Sequence, residues 1–132
     1  LEVADKINEK RLSIWNRYWD GLEKLSDEGK IVRPTIPEGC AHNAHMFYLK
    51  ARDLEERTAL ISYLKEQGVQ AVFHYIPLHT APAGRRYGMF AGEDRYTTRE
   101  SERLVRLPLY YNLSLEQADY VIDKVNAFYK ER

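Results

Sequence analysis

The chain lacks the features that mark disulfide-bonded, membrane-spanning or nucleic-acid-binding proteins. It has one cysteine, Cys40, so no disulfide can form within it, and this favours a reducing, cytoplasmic setting. It has no apolar run long enough to span a bilayer and no signal-peptide pattern at its start. Lysine plus arginine number 20, as do aspartate plus glutamate, so the net charge is zero. That balance provides no basic footprint for nucleic acid.

The length of 132 residues fits one domain, which should bury roughly two-thirds of its unfolded surface. Apolar residues from Leu1 to Leu25 recur near a 3.6-residue period and predict one long amphipathic helix. The chain starts with Leu1 rather than Met, inside that pattern, so we expect a piece of a longer protein. The wide apolar stripe leaves two explanations open. Either a second surface packs on the helix, or the helix lies deep in its own domain.

The middle of the chain predicts a strand, a helix and a second strand. The first strand spans residues 44–51, and the second spans residues 69–76. Asp53, with Glu56 three residues later, is typical of a helix N-terminus, and Gly68 is a plausible end of that helix. Strands and helices of this kind predict an α+β fold, a small sheet with helices mostly on one face.

The last third of the chain is marked by turn residues and two more capping patterns. Residues 80–92 contain one proline, Pro82, and three glycines at positions 84, 88 and 92, and this composition predicts a loop. Thr97 is predicted to cap a short helix that ends near Leu104. Residues 106–111 predict a short edge segment because Pro108 interrupts them. Ser114 and Gln117 predict a capping box for the final helix.

The stretch from Phe73 to His79 combines an apolar run with two imidazoles and a phenol. Pro77 removes a backbone donor and fixes φ, so the run predicts a buried strand that enters a rigid corner. If the strand alternates, His74 and Tyr75 point to opposite faces. Two interpretations compete here. The side chains form a small-molecule site, or Tyr75 is a core aromatic and His74 a half-buried, hydrogen-bonded imidazole.

Other polar residues give weaker indications of a site. His42 and His45 are three apart on an extended segment, which places them on opposite faces, and no cysteine or carboxylate pair accompanies them at zinc-ligand spacing. We therefore predict no metal site. Arg85, Arg86 and Arg106 could pair with phosphate oxygens, although solvated arginines are the simpler explanation for the first two, and Arg106 has a similar ambiguity.

Residues for covalent catalysis are not indicated by the sequence. Cys40 lies in a turn-rich connector without a pattern that would activate its thiol, and no serine lies in a nucleophile elbow. Lys50, at the end of a predicted strand, is the one lysine for which an inward setting is conceivable. Its neighbours do not support a catalytic role, so we predict that this chain alone is not catalytic.

The corner motif and a second motif together resemble a known family. His74-Tyr75-x-Pro77-Leu78-His79-x-x-Pro82, followed by Leu107-Pro108-Leu109, is similar to the C-terminal domain of sugar-nucleotide aminotransferases of the DegT/DnrJ/EryC1/StrS family. The likeness covers essentially the whole chain, and the paired motifs are more specific than either alone.

The resemblance implies the small C-terminal domain of a fold-type I aminotransferase that uses pyridoxal 5'-phosphate. Residues 1–26 would form a long helix linking to a missing large domain, and residues 27–132 the small domain. The large domain would hold the cofactor and its Schiff-base lysine. His74, Tyr75, Ile76, Pro77 and His79 would contact the sugar nucleotide.

The resemblance further implies a reaction and partners. The full-length enzyme would move an amino group, with glutamate as donor, to the 4-keto carbon of a dTDP-6-deoxyhexose. It would be a homodimer or larger, with neither nucleic acid nor membrane as a partner. Two rival hypotheses stay open: a stand-alone module that binds a small ligand at the corner, and a dimerisation domain that uses its first helix as the interface.

Overall fold

The computed structural model describes residues 2–130. The elements found there follow one another in this order: α1 (Ala4–Gly21), α2 (Glu23–Asp27), β1 (Phe47–Lys50), α3 (Leu54–Glu66), β2 (Val72–Phe73), α4 (Pro82–Tyr87), α5 (Thr97–Arg103), β3 (Leu104–Leu107) and α6 (Leu115–Lys130). The predicted α+β class is confirmed. The predicted start of the first helix at Leu1 lies outside the described residues.

The three strands form one antiparallel sheet in the order β1-β3-β2. Phe47 lies opposite Leu107 and Lys50 opposite Leu104, while Phe73 lies opposite Val105 on the other side. The prediction of an edge segment over residues 106–111 is therefore wrong, since β3 is the central strand. Pro108 follows the last paired residue instead of interrupting the strand, so β3 keeps its backbone donors on both sides.

One face of the sheet carries the core. Phe47, Leu49, Val105 and Leu107 are buried there, because residues opposite each other in an antiparallel pair point to the same face. They belong to one apolar cluster with side chains from the long helices α1, α3 and α6, among them Ile14, Tyr18, Leu60, Leu64, Val121 and Val125. The other face carries alternate residues that are half-buried or exposed. The expectation of helices mostly on one face is confirmed.

The first helix is shorter than its apolar pattern predicts. It ends at Gly21, and after Leu22 the chain continues as the separate helix α2. A Cβ built on Gly21 would lie 2.7 Å from Ile122 Cδ1, so a glycine is needed where α1 crosses α6. Because glycine is a poor helix former, the close approach also explains why one continuous helix to Leu25 does not form. Within residues 2–130, no helix is long and apolar enough to cross a bilayer.

Two of the three predicted caps are present. Asp53 Oδ1 accepts from the Glu56 backbone N–H at 2.9 Å, and Ser114 with Gln117 forms a reciprocal capping box with bonds of 3.0 and 3.1 Å. The prediction that Thr97 caps α5 is wrong. The residue before the helix is Tyr96, which makes no side-chain cap.

Two predictions around the corner are also wrong. The second strand covers only Val72–Phe73 of the predicted residues 69–76, since the chain turns out of the sheet at His74. The predicted loop over residues 80–92 contains the helix α4, which begins at Pro82. Proline at the first position of a helix has a favourable φ and sacrifices no hydrogen bond, so it starts this helix instead of preventing it.

Candidate functional site

The corner at residues 74–79 is an exposed apolar segment next to the sheet. Tyr75 is 65%, Ile76 59% and Leu78 85% exposed. The predictions of a buried strand and of Tyr75 as a core aromatic are thus wrong for this segment. An apolar run had suggested burial, but β2 is an edge strand and the chain leaves the sheet after Phe73. The exposed side chains are available to a ligand or to another surface.

The corner is held rigidly by its own turn and by α4. The Pro77 carbonyl accepts from the Thr80 and Ala81 backbone N–H groups at 3.0 and 3.1 Å and from Thr80 Oγ1 at 3.0 Å. A Cβ on Gly84 would lie 1.6 Å from the Leu78 carbonyl oxygen, so α4 packs directly on the backbone of the corner. The chain therefore makes a hydrogen-bonded turn at Pro77, against which α4 packs.

His74 is bonded to an arginine of the central strand. Arg106 Nη1 lies 2.7 Å from His74 Nδ1, and both side chains are half-buried. Burial, followed by the charge of Arg106 and the neighbouring His45, lowers the pKa of His74 below its ordinary value. The imidazole is therefore a neutral hydrogen-bonding group at pH 7.

Tyr75 lies beside His74 instead of on the opposite face. Their ring centroids are 3.8 Å apart, with an angle of 29° between the ring planes. The alternation predicted from a strand does not apply because the strand ends one residue earlier. The two rings form an aromatic surface next to the Arg106 guanidinium, an arrangement suited to a planar or polar ligand.

His79 belongs to a different cluster. Its Nε2 lies 2.8 Å from Asp94 Oδ2, and Thr98 Oγ1 donates to the same carboxylate oxygen at 2.5 Å. The Thr98 hydroxyl lowers the pKa of Asp94, with contributions from the Thr98 backbone N–H and from His79. Since its ring also lies 4.4 Å from that of Phe90, His79 ties the segment before α5 to the corner. The structure thus gives it neighbours other than those of His74.

The other two histidines contact residues outside the corner. His42 contacts the Trp15 ring at 4.5 Å, and His45 Nδ1 lies 3.1 Å from Asn43 Oδ1. Among the described residues, no group of three or more His, Cys, Asp or Glu side chains is placed to hold a metal ion. Arg85 and Arg86 are exposed on α4, so Arg106 is the arginine of the three that contacts the corner.

Lys50 is held by an ion pair. Its Nζ lies 2.7 Å from Glu100 Oε2, and both side chains are about three-quarters buried. Glu100 also pairs with Arg99 and Arg103. This lysine therefore has a structural contact and does not fit the role of a Schiff-base lysine.

Sequence reasoning missed Asp94 and Thr98, which surround His79. Their spacing of four residues is typical of a side chain that caps or bonds the next helical turn. The sequence singled out Arg106, but its partner His74 is 32 residues away, and only the strand register brings them together.

The fold places the protein in the class of α+β domains. Helices cover one face of its antiparallel sheet, and an exposed corner follows the edge strand β2. The model of the DegT/DnrJ/EryC1/StrS aminotransferase family matches residues 1–126. The chain belongs to this family.

Two relatives of this chain are named as transaminases. The chain is 32% identical over 119 residues to the 3-oxo-glucose-6-phosphate:glutamate aminotransferase of Bacillus subtilis, covering 88% of this chain and 26% of that protein. It is 30% identical over 130 residues to the dTDP-3-amino-3,6-dideoxy-alpha-D-galactopyranose transaminase of Aneurinibacillus thermoaerophilus, covering 97% and 33%. The chain spans about a third of the length of the curated relatives it matches.

A solved structure shows the same fold. NtdA from Bacillus subtilis with bound cofactor PMP superimposes with a TM-score of 0.77 at 29% identity, and the match covers 94% of this chain and 28% of that one. Two of these relatives are thus named for the transamination of sugars, and NtdA binds PMP, the amino form of pyridoxal phosphate.

Proposed function

We propose that this chain is the small C-terminal domain of a pyridoxal-phosphate-dependent sugar-nucleotide aminotransferase and that its 74–77 corner contacts the substrate. The observation that carries the proposal is the exposed Tyr75 and Ile76 beside the Arg106–His74 pair, in a chain of this family. Rigid corners that present aromatic and polar groups together are suited to ligands with both kinds of surface.

The full-length enzyme would use glutamate to aminate the 4-keto carbon of a dTDP-6-deoxyhexose. Glutamate is the donor in the name of one relative, and a dTDP-sugar occurs in the name of another. The sugar in the name of one relative carries its amino group at C3, so these names do not support amination at C4. What supports it is a resemblance of the corner motif, His74-Tyr75-x-Pro77-Leu78-His79, to that of dTDP-4-amino-4,6-dideoxygalactose transaminase, an enzyme of enterobacterial common antigen synthesis.

The domain would close one side of a cleft. In this proposal residues 1–26 link to a large domain and residues 27–132 form the lid, in a cytoplasmic homodimer or larger assembly. Support comes from the exposed apolar side chains of the corner, of the end of α4 and of the segment after it, including Leu78, Tyr87 and Met89. Exposed apolar patches of this kind are typical of surfaces that another surface covers.

Pyridoxal phosphate would be bound mainly by the large domain, with its lysine there. The cofactor supplies the electron sink that lets an amino group move between donor and acceptor. The corner's own part is to bind and orient the sugar nucleotide and to exclude water. His79 would support the corner from the side through Asp94, instead of reaching the substrate with His74.

Replacing His74 by Ala in the natural, full-length protein tests the proposal. We expect the KM for the sugar nucleotide to rise about tenfold, as for loss of one hydrogen bond and its ring contact. The cofactor's visible absorption should not change. His42→Ala is the matched control because its ring contacts Trp15 and not the corner.

Unchanged kinetics in the His74 variant would contradict the site assignment. The position of amination is checked by NMR of the product formed from a dTDP-4-keto-6-deoxyhexose. An amino group at C3 would contradict the proposed position of amination but would leave the family assignment unaffected. Absence of transamination would overturn the proposed activity. Tight binding of a small ligand by the 132-residue chain alone would favour the rival binding module.

A further inference from the structure

The sheet register brings Arg106 to His74. Arg106 lies in the central strand, opposite Tyr48 on one side and Val72 on the other. His74 follows two residues beyond Val72, just after the end of β2, within reach of the long Arg106 side chain. The measured Nη1 to Nδ1 distance of 2.7 Å is that of a hydrogen bond.

The chemistry of the two groups decides which one donates. A guanidinium has only N–H donors and does not lose its proton in proteins, so His74 Nδ1 must accept. An imidazole that accepts at Nδ1 carries its one proton on Nε2. The ring of Tyr75, stacked at 3.8 Å, covers one face of the imidazole and opposes reorientation of the ring. Both the tautomer and the ring orientation are therefore set by neighbours within this chain.

The charged and titratable neighbours act in the same direction. Arg106 from β3 and His45 from the segment before β1 both lower the pKa of His74, in addition to the effect of burial. Protonation of His74 would also break the bond to Arg106, because Nδ1 would become a donor facing another donor. The Arg106 bond and a charged imidazole are therefore mutually exclusive.

We propose that Arg106 is a positioning residue that holds His74 as the neutral Nε2–H tautomer, so that the corner offers the substrate an uncharged hydrogen-bond donor. This inference rests on the proposed function, which makes His74 a contact of the sugar nucleotide. It deepens that function because it states the chemistry of the contact. The complementary group on the ligand is an acceptor oxygen, such as a sugar carbonyl, hydroxyl or phosphate oxygen.

The first test needs no substrate. Nitrogen-15 NMR of the natural protein with labelled histidine distinguishes a protonated from an unprotonated ring nitrogen. We expect His74 to show an unprotonated Nδ1 and a protonated Nε2. In Arg106→Met its titration should move to higher pH and the tautomers should mix. In Arg106→Lys, which keeps a cationic donor, the tautomer should be largely restored. A protonated Nδ1 in the wild-type protein, or an unaltered His74 in Arg106→Met, would overturn the proposal.

The second test measures substrate kinetics against pH. In the wild type, the KM for the sugar nucleotide should stay constant near neutral pH, because His74 remains neutral there. In Arg106→Met, KM should rise about tenfold, the loss of one oriented hydrogen bond, and kcat/KM should acquire a new ionisation that matches the His74 titration seen by NMR. Arg95→Met is the control, since Arg95 is an exposed arginine paired with Glu93 and its removal changes the net charge equally.

The two tests separate the inference from the proposed function. If NMR shows the expected tautomer shift but the kinetic profile stays unchanged, His74 does not contact the substrate, and the positioning role falls with that assignment. If His74→Ala raises KM while the NMR of Arg106→Met is unaltered, His74 is a contact but Arg106 does not position it. A rise in KM in Arg106→Met with no new ionisation would mean that Arg106 binds the substrate directly, which also contradicts the proposal.

Discussion

Gly84 sets how closely α4 approaches the corner. A Cβ at this position would lie 1.6 Å from the Leu78 carbonyl oxygen and 3.3 Å from His79 Cα, and both neighbours are backbone atoms that cannot turn away. Gly84→Ala should therefore push α4 off the corner and destabilise the protein by about 1–3 kcal/mol, as overpacking does. Denaturant unfolding measures this loss.

Gly88→Ala is the graded control for that substitution. There the nearest atom to a new Cβ is the Gly84 carbonyl oxygen at 3.0 Å, so a small adjustment suffices. Equal effects of the two substitutions would contradict the packing argument. If the corner binds substrate, Gly84→Ala should also raise the KM for the sugar nucleotide, because Leu78 and the corner would move together.

The individual residues of the site differ in how far the sequence could predict them. The turn at Pro77 could be predicted because proline geometry is local, and the structure places a hydrogen-bonded turn there. The environment of His79 could not be predicted in this way. Its partners Asp94 and Thr98 are 15 or more residues away, and the folding of the segment after α4, which brings them together, has no strong pattern in sequence.

Among the elements, α5 and β1 are joined by a charged cluster. Glu100 of α5 pairs with Lys50 of β1 at 2.7 Å, and with Arg99 and Arg103. The Lys50 bond, then the Arg99 bond, lowers the pKa of Glu100 to about 2. In the unfolded chain the pKa of a glutamate is about 4.3. Because the folded-state pKa is lower, the ionised Glu100 stabilises the fold fully at pH values above about 4.3. This stabilisation is lost as the pH falls through about 2.

Glu100→Gln should reduce the free energy of unfolding at pH 7 by about 2 kcal/mol, since it leaves the half-buried Lys50 ammonium without its carboxylate. The difference from wild type should shrink between pH about 4.3 and pH about 2, where the wild-type carboxylate also becomes neutral. Urea unfolding across that range measures it. Glu93→Gln, in an exposed pair with Arg95, should have almost no effect. A difference for Glu100→Gln that does not vary with pH would contradict the ion-pair explanation.

The elements themselves were predictable where the signal is local and periodic. The caps at Asp53 and Ser114 and the stripe of α6 needed only neighbouring residues. The central position of β3 was not predictable, because strand order is set by pairing between distant segments, and Pro108 gave a misleading edge signal. The break after Gly21 depends on the approach of α6, which a helical pattern does not contain.

At the scale of the whole molecule, the decisive question is where the cofactor's lysine lies. Lys50 forms an ion pair with Glu100. In the proposed enzyme, we therefore expect the Schiff-base lysine outside residues 1–132. Borohydride reduction of the natural protein fixes the cofactor to its lysine, and peptide mass mapping then locates the mark. We expect the natural protein to show a visible band that borohydride removes, and a marked peptide that is absent from this sequence. Lys50→Met should leave both unchanged.

A labelled Lys50 would place catalysis in this domain and overturn its proposed role as a lid. A protein with neither band nor mark would instead leave the corner as the pocket of a binding module, in which Tyr75 and the Arg106–His74 pair would have to account for the affinity by themselves.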